Sequence, residues 1–248
     1  MPIHCRMLAV LSLASLFAQP SHAQTRRTVP SGHGFVENRG QIIDQKGHRN
    51  AQVLFLWAGG RGLNVQARHD GLSYDTYAPS GKDGDFLFHR LDMRLLDADP
   101  NATVHGEDPR NDIINVYNAG TPVTGALAIP HYNRMVYAGI WPHIDLVLTM
   151  GGDDSSPFKY DFILHPGADI GRVKMQYDGF DSVELQDGTI AFNLSDRHLT
   201  ESIPKSWTVP EHRSVEVRYD VIEQCEGSIT VGLKLADPSS LLTASSLV

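Results

Sequence analysis

Apolar residues fall on every second position through much of this chain. The clearest case is the stretch from Gly139 to Gly179. Ile144, Leu146, Leu148 and Met150 share one phase, with Asp145 and Thr149 on the other; Phe158, Tyr160, Phe162 and Leu164 then alternate against Lys159 and Asp161. The turn-forming residues GGDDSSP lie between the two runs, so the pattern predicts a β-hairpin with one buried face. A third run, Val173, Met175 and Tyr177, stops at Asp178-Gly179.

The same period recurs on both sides. Val53 to Trp57, then Leu63, Val65 and Ala67, then Leu72, Tyr74 and Tyr77 predict a three-stranded meander turning at the hairpin dipeptide Asp70-Gly71. Phe86, Phe88, Leu91, Met93 and Leu95 are read as one further strand, with Arg90, Asp92 and Arg94 on its wet side. The acidic stretch from Asp97 to Arg110 reads as turns, with Val104 as a bridge of β structure. Val183 and Leu185 face Ile190, Phe192 and Leu194 across Asp187-Gly188, and Leu199 to Ile203 stops at Pro204. Val215, Val217, Tyr219 and Val221 alternate, as do Ile229, Val231, Leu233 and Leu235. Strands spaced by about 8–12 residues with Gly, Asp and Asn between them predict an all-β, antiparallel, sandwich-like fold. It spans residues 35–240 as one domain or as two packed sheet subdomains dividing near 122–130; residues 24–34 read as a polar lead-in and 241–248 as a tail.

Residues 1–23 have a different character. Arg6 precedes an apolar stretch from Met7 to Ala18, and Ser21-His22-Ala23 presents small residues at the positions a signal peptidase reads. This predicts a secretory leader cut between Ala23 and Gln24, lying outside the fold. The apolar stretch is shorter than the roughly 20 residues that a membrane-spanning helix needs. Without the leader the chain keeps one cysteine, Cys225, so an internal disulfide is ruled out and Cys225 is expected on a buried or half-buried strand position. Loss of Arg6 takes the net charge from −8 to −9, with both signs interspersed and no basic block. That argues against nucleic acid or an anionic membrane surface as partner.

Four pieces of the chain carry a family resemblance: Phe35-Val36-Glu37-Asn38-Arg39-Gly40-Gln41; Asn115-Val116-Tyr117 with Gly120; Ile140-Trp141-Pro142-His143-Ile144-Asp145-Leu146; and Lys159-Tyr160-Asp161-Phe162-Ile163-Leu164-His165-Pro166-Gly167-Ala168. With Asp187-Gly188 and Glu201-Ser202-Ile203-Pro204, they resemble the N-terminal domain that stands before SBBP β-propeller repeats in bacterial secreted and cell-surface proteins. The resemblance implies an exported, non-enzymatic structural or interaction module of the cell envelope or surface. It carries over no catalytic residue and no cofactor.

The residues themselves offer little chemistry. Twelve histidines show no H-x-H or H-E-x-x-H spacing and no Cys/His cluster. Asp83 and Asp85, and Asp153 and Asp154, could give oxygens to calcium, yet neither pair has the full loop spacing. No G-x-S-x-G is present, and the glycines at 59–62 lack the Lys and Ser/Thr of a phosphate loop. Asp145 and Asp161, a conceivable carboxylate pair, sit on the polar phase of their strands and are expected to face solvent. Trp57, Trp141 and Trp207 could stack on sugars if exposed, which makes a carbohydrate-binding module the alternative to a module that binds a cell-envelope protein.

Overall fold

The computed structural model describes the backbone of residues 8–13 and residues 34–237, apart from 45, 60–61, 82–84, 119, 152–157, 187, 196, 204–205 and 210–211. The first strands are β1 (Leu8–Leu13), β2 (Phe35–Glu37), β3 (Val53–Ala58), β4 (Leu63–Arg68), β5 (Gly71–Pro79) and β6 (Phe86–Leu95). Next come β7 (Thr103–Pro109), β8 (Ile114–Val116), β9 (Ala126–Ile129), β10 (His131–Trp141), β11 (Ile144–Met150) and β12 (Phe158–Leu164). After a 3-10 turn at Ile170–Arg172 follow β13 (Lys174–Asp178), β14 (Ser182–Gln186), β15 (Thr189–Asn193) and β16 (His198–Ser202). The last four are β17 (Ser206–Val209), β18 (Ser214–Val215), β19 (Val217–Cys225) and β20 (Ser228–Leu235).

One antiparallel sheet runs β18-β17-β1-β12-β11-β10-β2-β3-β4-β5-β6-β13-β20-β19, with β7 added on β10. Its two ends, β18 and β19, are successive in the chain; Glu216 alone separates them, and its carbonyl accepts the Ala236 N–H at 2.9 Å. β14-β15-β16 form a separate three-stranded sheet, and β8-β9 a two-stranded ribbon. Inner-face residues of the large sheet and of the small one merge in a single core cluster, in which Phe192 of β15 lies on Tyr177 of β13 at 4.7 Å between ring centres. The architecture is all-β, as the alternation predicts. Among the described residues no helix is long and apolar enough to cross a membrane.

The predicted hairpin is β11-β12, with Leu148 opposite Tyr160 and Leu146 opposite Phe162, all four buried. The meander is β3-β4-β5, turning at Gly71, where φ is +144° and a Cβ would stand 2.0 Å from the Met93 carbonyl oxygen, so only glycine fits. Gly139 (φ +66°) interrupts the β10-β11 register between Tyr137 and Trp141. Beyond that interruption Trp141 is buried, and its indole N–H donates to the Leu96 carbonyl at 2.9 Å.

Five expectations change. Thr103–Pro109 is a strand, not turns, because β10 gives it a full partner from Thr103 opposite Ala138 to Pro109 opposite Tyr132. Phe86 and Phe88 share one unbroken strand with Leu91, Met93 and Leu95, as expected, but not their buried face: even positions from Phe86 to Arg94 lie on the wet side. Asp161 is buried at 7% exposure rather than facing solvent. Cys225 is exposed, at the end of β19 where the chain turns into β20. Finally, Leu8–Leu13, read as leader outside the fold, lies as a strand between β12 and β17. An uncharged apolar run with no competing partner suits a gap between two strands whose backbone groups need pairing. The junction Ala23-Gln24 and Asp83, Asp153, Asp154 and Asp187 lie outside the described residues.

Leu148, fully buried on the central hairpin, tests where the core sits. Leu148→Ala should destabilise the fold by about 2–5 kcal/mol, read as a lowered urea midpoint with unchanged slope.

Candidate functional site

Most polar motif residues are used inside the scaffold, while Tyr117 of the second motif is 67% exposed. Asn38 donates through its amide to the Asn50 carbonyl (2.8 Å) and the Val53 carbonyl (2.6 Å), and its Oδ1 accepts the Gly40 N–H (2.9 Å). Gln41 accepts the Arg39 N–H (2.7 Å) and donates to the Glu37 carbonyl (2.6 Å). Asn118 then reaches back to the Gln41 carbonyl (2.8 Å), and Arg49 holds the Gly120 carbonyl (2.9 Å), tying the first two motifs together. The third and fourth motifs meet where His165 Nε2 lies 2.7 Å from Asp145, whose other oxygen accepts the Gly139 N–H (2.7 Å). This Asp–His pair clamps the ends of β11 and β12.

Glu201 of β16 is the most buried carboxyl group described, 1% exposed. Tyr74 of β5 donates to its Oε1 (3.1 Å), while Tyr160 of β12 (2.8 Å) and Tyr177 of β13 (2.6 Å) donate to its Oε2. The carboxyl therefore ties the small sheet to three strands of the large one. Burial pushes it above its ordinary value of 4.5, and the three phenols pull it back only in part. Burial first, and then the neighbouring carboxyl, raise all three tyrosines well above 10.0. One phenol holds Oε1 and two hold Oε2, so the group reads as a lock between layers.

Of the tryptophans, Trp57 and Trp141 are buried in the core, which removes both as sugar platforms, and Trp207 is half-buried. Asp145 is engaged by His165, and Asp161 takes Lys159 at 3.1 Å on one oxygen. Among the described residues no three His, Cys, Asp or Glu side chains converge as metal ligands. A cleft of about 710 Å³ is lined by Glu37, Arg39, Arg49, His105 and Tyr132, next to the first motif. Its polar side chains are already engaged: Arg39 (3.3 Å) and Tyr132 (3.4 Å) with Glu37, Arg49 with the Gly120 carbonyl (2.9 Å), and His105 with Glu107 (3.3 Å).

One surface that the scaffold does not explain lies on the outer face of β4, β5, β6 and β13. Here a polar ladder runs along the strands. Gln66 and Arg90 both hold Asp75 (2.6 Å each), Arg68 meets Asp92 at 3.3 Å beside Ser73, and Arg94 pairs with Asp178 at 2.7 Å. At one end the ladder gives way to aromatics. Tyr77 lies 6.3 Å from Phe86 and 6.0 Å from Phe88, and the two phenylalanines are 6.4 Å apart. Phe86 is 52% exposed and Phe88 74%, with Leu87 at 53% beside them. Scattered exposed apolar residues are ordinary, but these three rings form one clustered apolar patch on an otherwise charged face. The signal was present in the chain: Phe86 and Phe88 have the parity of Arg90, Asp92 and Arg94.

These features define an all-β antiparallel domain whose motif residues build the scaffold and whose exposed aromatic end lies outside the motifs. The chain belongs to the family described as a domain of unknown function (DUF7948), which matches residues 35–243. No curated protein and no solved structure matches it.

Glu201 gives the fold a pH signature. Because its folded value is raised, stability from this site is complete below the ordinary value of 4.5 and declines as pH climbs through the raised one. Urea midpoints should show that slope in the native chain and lose it in Glu201→Gln. Glu201→Ala, which strands three phenols, should cost about 3 kcal/mol, roughly 1 for each.

Proposed function

We propose that this protein is an exported, non-enzymatic interaction module of the bacterial cell envelope or surface, gripping a partner protein through the aromatic end of the β5-β6 pair. The exposed rings of Phe86 and Phe88, packed on the half-buried Tyr77, carry this reading, since desolvating such rings is what a protein contact rewards. Export rests on the leader pattern of residues 1–23. The resemblance to the domain that precedes SBBP propeller repeats agrees with a surface role. A carbohydrate-binding role through Trp57, Trp141 and Trp207 has less support, because the first two present no face to a sugar.

The paired substitution Phe86→Ser with Phe88→Ser tests the contact surface. Both residues are exposed, so stability should change by no more than about 0.5 kcal/mol each. Crosslinking in the producing cell's envelope should yield an adduct with the native chain and lose it with the double variant. An adduct of equal yield from both would overturn the assignment of this surface. Mass spectrometry of the exported protein should give a chain beginning at Gln24.

A further inference from the structure

The large sheet is made continuous by a segment that the export reading removes. Among the described residues, β1 is the only neighbour of β12 on the side away from β11, and the only neighbour of β17 on the side away from β18. Its backbone runs antiparallel to both, from Ala9 opposite Leu164 to Leu13 opposite Tyr160 on one side, and from Leu8 opposite Val209 to Val10 opposite Trp207 on the other. Take residues 8–13 away and two strand edges face each other across one strand's width, each with a row of backbone donors and acceptors. These are not peripheral edges. Phe158, Tyr160, Phe162 and Leu164 of β12 belong to the core, and Thr208 of β17 is fully buried.

We propose that this gap is a docking slot for a strand supplied by a partner polypeptide, which the leader occupies until it is cut away. The inference rests on the export reading above. The slot takes an uncharged, apolar segment the length of β1, six residues, entering antiparallel to β12 and β17. One register position calls for more than an apolar residue. Asp161, 7% exposed, has Lys159 on Oδ2 while its Oδ1 is buried with no hydrogen-bond partner among the described residues. Ser12 of β1 holds the position opposite it. A strand with a hydroxyl or amide donor there suits the slot, and one with a carboxylate is repelled.

The chain's own C-terminal segment enters less readily. β20 ends at Leu235 opposite Val217, close to Val215, which pairs with Ser206 at the start of β17. An antiparallel strand must begin at the other end, at Val209. Strand addition of this kind draws affinity from the main chain and selectivity from alternate side chains.

The probe is a fluorescent synthetic peptide with the sequence of residues 8–13 between solubilising lysines. Mass spectrometry of the exported chain reports separately whether the leader is cut, so failure of the export reading is seen on its own. Binding is then measured by anisotropy on the chain beginning at Gln24 and on the whole chain. The shortened chain should bind saturably, and the whole chain, already filled, about tenfold more weakly or not at all. A Ser12→Asp peptide should lose about tenfold or more, and a backbone N-methylated peptide should not bind. Amides of β12 and β17 should exchange fast in the shortened chain and slowly once peptide is added. Slow exchange without peptide, together with no peptide binding, would overturn the proposal. Size-exclusion and a chain ending at Leu235 then tell whether a second copy or the C-terminal segment fills the gap instead.

Discussion

Buried backbone must be hydrogen-bonded, and in this protein strands do nearly all of that work. Apart from one 3-10 turn, the described residues form no helix that could satisfy its own amides. Each strand therefore needs a neighbour on both sides or an edge that water can reach. The answer found here is a sheet whose terminal strands, β18 and β19, are joined through Glu216, so that the order of strands nearly returns to its start. The rest follows from that near-closure: a single core, a small sheet packed onto it, and one position between β12 and β17 that the main body of the chain leaves to a segment from far away.

The polar residues that look most distinctive in the chain are those that make the irregular parts of this arrangement possible. Asn38 and Gln41 satisfy the turn after β2, Asn118 and Arg49 fasten the next motif onto it, and Asp145 with His165 closes the end of the central hairpin. Their side chains are spent on backbone and on each other. The exposed Phe86 and Phe88 lie outside these contacts, on the outer face of β6.

Much of the fold was legible in the alternation. The β11-β12 hairpin, the β3-β4-β5 meander and the β14-β15 turn each have a strict period and a turn signal, and all three form. The failures have separate causes. Thr103–Pro109 has no alternating apolar face of its own and becomes a strand because β10 offers a ladder. Hydrophobicity alone would place Phe86 and Phe88 with the core, but their parity puts them with Arg90, and parity wins in a continuous strand. Asp161 and Glu201 show the reverse: charged residues whose burial depends on neighbours distant in sequence, which no local pattern can report. Likewise nothing within Leu8–Leu13 tells an apolar leader from an apolar strand, since the property that serves both is the same.

The carboxyl of Glu201 has a mechanical consequence. It is shared by phenols from β5, β12 and β13, so peeling the small sheet away would uncover one acceptor and three donors in the same step. A pulling force applied across the two layers therefore meets no graded series of weak points. The three bonds, one from each of three strands, part together or not at all.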